Sequence, residues 1–202
     1  MINIHRYEVV ENEHLYGPGK RLLLFTQGCS LHCKGCTNQH LWTFGIGKDI
    51  TITEILNQLD DLEGITLHGG EPLDQAEALG NLIKKIKEQE KSVILFTGYT
   101  YKELDSIQRQ AWLSSDIVIS GRYEEEKRNI YLQFRGSTNQ KVFTHKGKYK
   151  NYKIKDGQTV AILSFNEHGE MQSRGFRTEE LEQLLNEISK DNKLCTLLTA
   201  SR

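Results

Sequence analysis

The stretch Arg21-Leu-Leu-Leu-Phe-Thr-Gln-Gly-Cys-Ser-Leu-His-Cys-Lys-Gly-Cys36 joins an apolar run, Arg21 to Thr26, to a loop that carries Cys29, Cys33 and Cys36. The run reads as a short buried strand. The spacing of the cysteines lets the backbone curl while each sulfur points inward, so three thiolates can share one inorganic centre. A structural zinc site closes with four ligands, commonly two separated Cys-x-x-Cys pairs, and no second pair is present. A four-iron cluster held by three cysteines keeps one iron without a protein ligand, and chemistry can occur there. Spacing leaves both centres open. The remaining cysteine, Cys195, lies between Leu194 and Leu197 and reads as a small buried apolar residue.

The chain of 202 residues, 37% hydrophobic and 26% charged, suits a single domain, 1–202, with a core at about 20–143 and an extension at about 144–202. A formal net charge of -1 supplies no global field toward nucleic acid or an anionic membrane. Neither a signal-peptide apolar region nor a run of ~20 apolar residues is present, which predicts a cytoplasmic protein. In that reducing compartment clustered cysteines read as metal ligands or catalytic groups.

Outward from the loop, Tyr16-Gly-Pro-Gly-Lys20 is a turn that delivers the chain into the first strand. Trp42 and Phe44 either shield the cysteine loop or pack in the core. Thr51 and Glu54 form a capping-box pattern that opens a helix ending at Gly64. Ile65 to His68 is a strand running into Gly69-Gly-Glu-Pro-Leu73, and Ala76 to Ile86 a second amphipathic helix. Val93 to Thr97 is a strand, Tyr101 to Ala111 a helix, and Ile117 to Ser120 a fourth strand. The alternation predicts an α/β fold with a parallel sheet and functional loops at the C-terminal ends of its strands. The cysteine loop, the Gly-Gly-Glu turn, Thr97-Gly-Tyr-Thr100 and Ser120-Gly-Arg122 all fall on that rim. Further on, Tyr131 to Arg135, Tyr152 to Ile154 and Thr159 to Phe165 read as strands of a small antiparallel extension, with a hairpin turn at Asn166 to Gly169 and a last helix over about 178–190. Lysines between Lys146 and Lys155 read as a solvated hairpin face.

Cys-x3-Cys-x2-Cys after a first strand, with Gly-Gly-Glu-Pro after a second, resembles the radical S-adenosylmethionine superfamily. The resemblance implies an open, partial (β/α) barrel in which Cys29, Cys33 and Cys36 hold a [4Fe-4S] cluster. It implies that S-adenosylmethionine chelates the open iron and is cleaved to a 5'-deoxyadenosyl radical. Backbone groups of Gly69 and Gly70, with Glu71, would take its ammonium, and glycine there permits close approach. Thr97, Ser120 and Arg122 join them as cofactor-binding positions, Arg122 through a charge-assisted pair with the ligand carboxylate.

Gly35 stands before the third cysteine, where most of the superfamily carries an aromatic residue. With Leu24 to Cys29, Gly69 to Gln75, Thr97 to Leu104 and Phe134 to Gln140, it resembles the activating enzymes of anaerobic ribonucleotide reductase. The chain departs from that branch at Ile119-Ser-Gly-Arg-Tyr123, where those enzymes usually carry an aspartate. The resemblance implies a glycyl-radical enzyme as protein substrate and a flavodoxin- or ferredoxin-type electron donor. Other classes are the same chemistry directed at a peptide or small molecule, and a metal-stabilised binding module. The polar segment Arg135 to Gln140 could touch a nucleoside or a partner, or satisfy itself as a structural loop. His32 and His68 could tune the cluster by hydrogen bonding, or simply pack.

Overall fold

The computed structural model describes residues 1–144, 147–165, 171–175 and 178–190. They fall into two units, Met1–Asp156 and Gly157–Arg202. The first contains β1 (Ile2–Val10), α1 (Glu13–Tyr16), β2 (Arg21–Thr26), β3 (Lys48–Ile50), α2 (Ile52–Leu56), β4 (Gly64–Gly69), α3 (Ala76–Glu88), β5 (Ser92–Thr97), α4 (Ser106–Ser114), β6 (Ile117–Ser120) and β7 (Lys141–Phe143). Its strands form one open sheet in the order β3-β1-β2-β4-β5-β6-β7. The centre, β2 to β6, is parallel as expected. Antiparallel strands flank it on both sides.

Alternation along the strands separates two faces. Leu22, Leu24, Ile65, Leu67, Val93, Leu95 and Val118 share a core with Leu79, Leu82, Ile83 and Ile86 of α3 and with Ala111 and Trp112 of α4. On the opposite face Ile94, Ile117 and Ile119 pack with Phe96, Phe134, Tyr149 and Tyr152. At the N-terminal end of β2, Arg21 is wholly buried. Its guanidinium donates to Thr66 Oγ1, Ser92 Oγ and the carbonyls of Pro18, Ile65 and Ser92. The functional rim is therefore at one end of the strands and this polar plug at the other.

Several expectations are corrected. Residues 2–10 form a strand that the polar N-terminus concealed, because a register shift between Ile4 and Arg6 breaks its alternation. The capping box of Thr51 and Glu54 is present, but α2 ends at Leu56, since the chain must reverse toward β4. α4 begins at Ser106, where Asp105 and Gln108 form its capping box, so Tyr101 to Leu104 lies outside the helix, with a turn at 101–103. Tyr131 to Arg135 is a turn and not a strand: Phe134 has φ +67°, and Asp156 accepts from the Gln133 N–H and the Arg135 guanidinium. Tyr152 to Ile154 is likewise not a strand. Its lysines do not alternate on a hairpin, for Lys148 pairs with Glu63 and Lys155 with Glu13.

In the second unit β8 (Ala161–Phe165) pairs antiparallel with β9 (Met171–Gly175), and α5 (Glu179–Lys190) starts after Thr178, whose Oγ1 accepts from the Leu181 N–H. The expectations of a hairpin turn at Asn166 to Gly169, of a solvated Lys146 and of a buried Cys195 concern positions outside the described residues.

Candidate iron-sulfur site

The cysteine loop leaves β2 and curls through residues of positive φ, Gly28 (+95°), His32 (+45°) and Gly35 (+72°). Cys29 is buried, and Cys33 and Cys36 are half-buried. The Asn38 N–H donates to Cys36 Sγ at 3.4 Å, and main-chain N–H groups of Leu31 and His32 lie toward Cys29 and that of Tyr123 toward Cys33. Burial nevertheless raises the Cys29 and Cys33 thiols above their ordinary value, so a thiolate here calls for a cation to hold it.

Three segments hold the loop. Gly28 N–H and Cys29 N–H donate to the carbonyls of Leu41 and Trp42, and the Gly28 carbonyl accepts from the Glu71 N–H at 2.8 Å. A Cβ on Gly70 would stand 2.0 Å from the Gly28 carbonyl oxygen. The double glycine is thus required for the turn to meet the cysteine loop, before any ligand is considered. Lys34 pairs with Glu125 at 3.3 Å and Glu126 at 3.7 Å.

Asp74 ties three rim loops together. Its carboxylate accepts from Ser30 N–H at 2.7 Å, Ser30 Oγ at 2.9 Å and Tyr99 Oη at 2.9 Å. Neither Asp74 nor Tyr99 was singled out in the sequence; the signal was their place in the segments Gly69 to Gln75 and Thr97 to Leu104.

Glu71 is 2% exposed and accepts from Leu73 N–H, Thr97 Oγ1 and Gly98 N–H at 2.9, 2.8 and 2.7 Å. Burial pushes its carboxyl up to about 7 against the pull of these donors. Ser120 Oγ donates to the Tyr99 carbonyl. Arg122 pairs with Glu103 at 2.5 Å and lies over the Tyr99 ring. The rim thus gathers every predicted position, but the side chains of Glu71, Thr97, Ser120 and Arg122 are engaged with protein. The Gly70 carbonyl has no hydrogen-bond partner among the described residues. Arg135 to Gln140 serves structure: Asn139 and Gln140 donate to the carbonyls of Arg122 and Gly121, holding the loop after β6. Trp42 sits against His32 at 4.7 Å, while Phe44 is exposed beside Gly28.

Three soft thiols on one loop, each with a main-chain N–H directed at it, are a donor set that fits an iron-sulfur cluster. An open α/β sheet presenting that set on its C-terminal rim defines an iron-sulfur protein, and residues 15–143 match the family model of the 4Fe-4S single cluster domain. The anaerobic ribonucleoside-triphosphate reductase-activating protein of Haemophilus influenzae is 36% identical over 141 residues, 64% of this chain and 91% of that one. Proteins of the same name from Vibrio cholerae and Enterobacteria phage T4 are 32% and 33% identical, over 70% and 64% of this chain and 97% and 86% of theirs. The chain belongs to the 4Fe-4S single cluster domain family and, within it, to the family of these activating proteins. The resemblance read from the motifs is thereby borne out. Among the described residues no helix is long and apolar enough to cross a membrane.

Proposed function

We propose that this protein is a radical S-adenosylmethionine enzyme that installs a glycyl radical on an anaerobic ribonucleoside-triphosphate reductase. The observation that carries the reading is the three-thiol loop braced directly against the Gly-Gly-Glu turn, in a chain related to reductase-activating proteins. Cys29, Cys33 and Cys36 would hold the cluster. When bound, the cluster and S-adenosylmethionine supply one-electron reduction of the sulfonium and a radical able to remove hydrogen from a glycine Cα.

The residues of the chain supply orientation and exclusion of water. The Gly70 carbonyl, lacking a partner among the described residues, is the acceptor we assign to the ligand ammonium. Glu71 and Thr97 fix the turns around it. Ser120 fixes the Tyr99 carbonyl, and Arg122, half-exposed beside Glu103, offers its remaining N–H groups to a carboxylate. The electron would come from a flavodoxin- or ferredoxin-type donor.

Anaerobic reconstitution with iron, sulfide, S-adenosylmethionine and dithionite tests the reading. We expect 5'-deoxyadenosine and, with the reductase present, a glycyl-radical signal in electron paramagnetic resonance. Cys33→Ala should abolish the brown colour and the cleavage together. A wild-type protein that folds with zinc and forms no 5'-deoxyadenosine would overturn the proposal.

A further inference from the structure

His68 is paired in register with Phe25 of β2, one residue before each strand reaches the rim. Its side chain lies on the sheet face that carries Phe25 and Phe96, opposite α3. The ring is held between these two aromatics, 5.4 Å from Phe25 and 4.5 Å from Phe96. Its Nδ1 accepts from the Gly69 N–H at 2.7 Å, which places the proton of the neutral ring on Nε2. That Nε2–H has no hydrogen-bond partner among the described residues, and the ring is only half-buried. The aromatic rings on either side fix the direction of this donor, and the partial exposure of the ring lets an acceptor from outside reach it.

We propose that the Nε2–H of His68 donates to a main-chain carbonyl of the glycine-bearing segment of the protein substrate, and so orients that segment beneath the cysteine loop. The inference rests on the reading under Proposed function and adds to it the group that recognises the substrate. The acceptor is neutral for two reasons. Burial lowers the imidazole to about 4, so the ring carries no charge near pH 7. The nearby cation, Arg6 over the Phe25 ring, is paired with Glu8 at 3.3 Å. A segment around glycine offers peptide carbonyls without side-chain bulk, so one of them can approach the edge of the imidazole.

The test uses the reconstituted enzyme, the reductase and a synthetic peptide spanning its radical-bearing glycine. His68→Phe removes the donor, and His68→Gln keeps a donor at the place of Nε2. Loss of one neutral hydrogen bond corresponds to about a tenfold change. We expect KM for reductase and peptide to rise about tenfold in His68→Phe with a smaller change in kcat, and to stay within about threefold of wild type in His68→Gln. Should His68→Phe fail to take up iron, His68→Leu replaces it with the same expectation. A KM within about twofold of wild type in the variant lacking the donor, or a glutamine variant as impaired as phenylalanine, overturns the role of His68 while leaving the activation reading in place. Absence of a glycyl radical with the wild-type enzyme overturns the activation reading itself, and this inference with it.

Discussion

At the scale of single residues, Glu71 shows how a group read as a ligand contact becomes a fastener. Three donors from two turns converge on its carboxylate, so it sets the distance between the Gly-Gly-Glu turn and the loop after β5. In Glu71→Gln, whichever way the amide is turned, its NH2 meets the backbone N–H of Gly98 or of Leu73. One buried donor is then left without an acceptor, at about 1–3 kcal/mol. We expect that loss near neutral pH in urea denaturation of the wild type and the variant. The pH dependence has a definite sign. With the folded carboxyl raised to about 7, the native state keeps a proton that the unfolded chain has released. Its contribution to stability is full below the ordinary glutamate range and is lost as pH rises through about 7. Glu71→Gln should remove that part of the slope from the stability profile.

At the scale of elements, the meeting of the cysteine loop with the turn after β4 depends on backbone touching backbone. Gly70→Ala would place a methyl 2.0 Å from the Gly28 carbonyl oxygen, which cannot move aside as a flexible side chain can. The two loops must then part, at about 1–3 kcal/mol, and the iron retained per chain should fall. Gly80→Ala is the control: it lies inside α3, and a Cβ there meets nothing within 4 Å. It should stabilise the protein by about 0.5–1 kcal/mol, read as a higher melting temperature. These two positions also mark what the sequence carries. The apolar runs of β2, β4, β5 and β6 and the periodicity of α3 were legible because burial on both sheet faces, or along one helix stripe, writes itself into residue type. The cysteines and the double glycine were legible because nothing else performs their chemistry. β1 was not, since a register shift breaks its alternation, and neither was the turn at Phe134, which is set by side-chain bonds to a residue 22 positions away. The partners of Glu71 and Asp74 belong to distant loops, and only the folded chain brings them together.

At the scale of the whole sheet, chemistry and stability are placed at opposite ends of the same strands. The cysteine loop and its partners crown the C-terminal ends of β2, β4, β5 and β6. The N-terminal ends close around Arg21, whose guanidinium stays charged at neutral pH although burial lowers it to about 10. Its donors hold the carbonyls of Pro18, Ile65 and Ser92, so β2, β4 and β5 are drawn together by one side chain. Glu63 adds a second layer, accepting from Ser92 Oγ and Tyr149 Oη and pairing with Lys148. Arg21→Met fills most of the volume but removes five donor contacts at once, to Thr66 Oγ1, Ser92 Oγ and the carbonyls of Pro18, Ile65 and Ser92, and we expect a loss of about 3–5 kcal/mol from the broken buried network. Urea denaturation should show a lower midpoint with little change in slope, because the surface exposed on unfolding is nearly the same. Iron bound per folded chain should be unaffected, since among the described residues no hydrogen bond or ion pair joins Arg21 to the cysteine loop. If iron uptake fell in proportion to stability, the two ends of the sheet would be coupled, and the separation argued from their positions would be wrong.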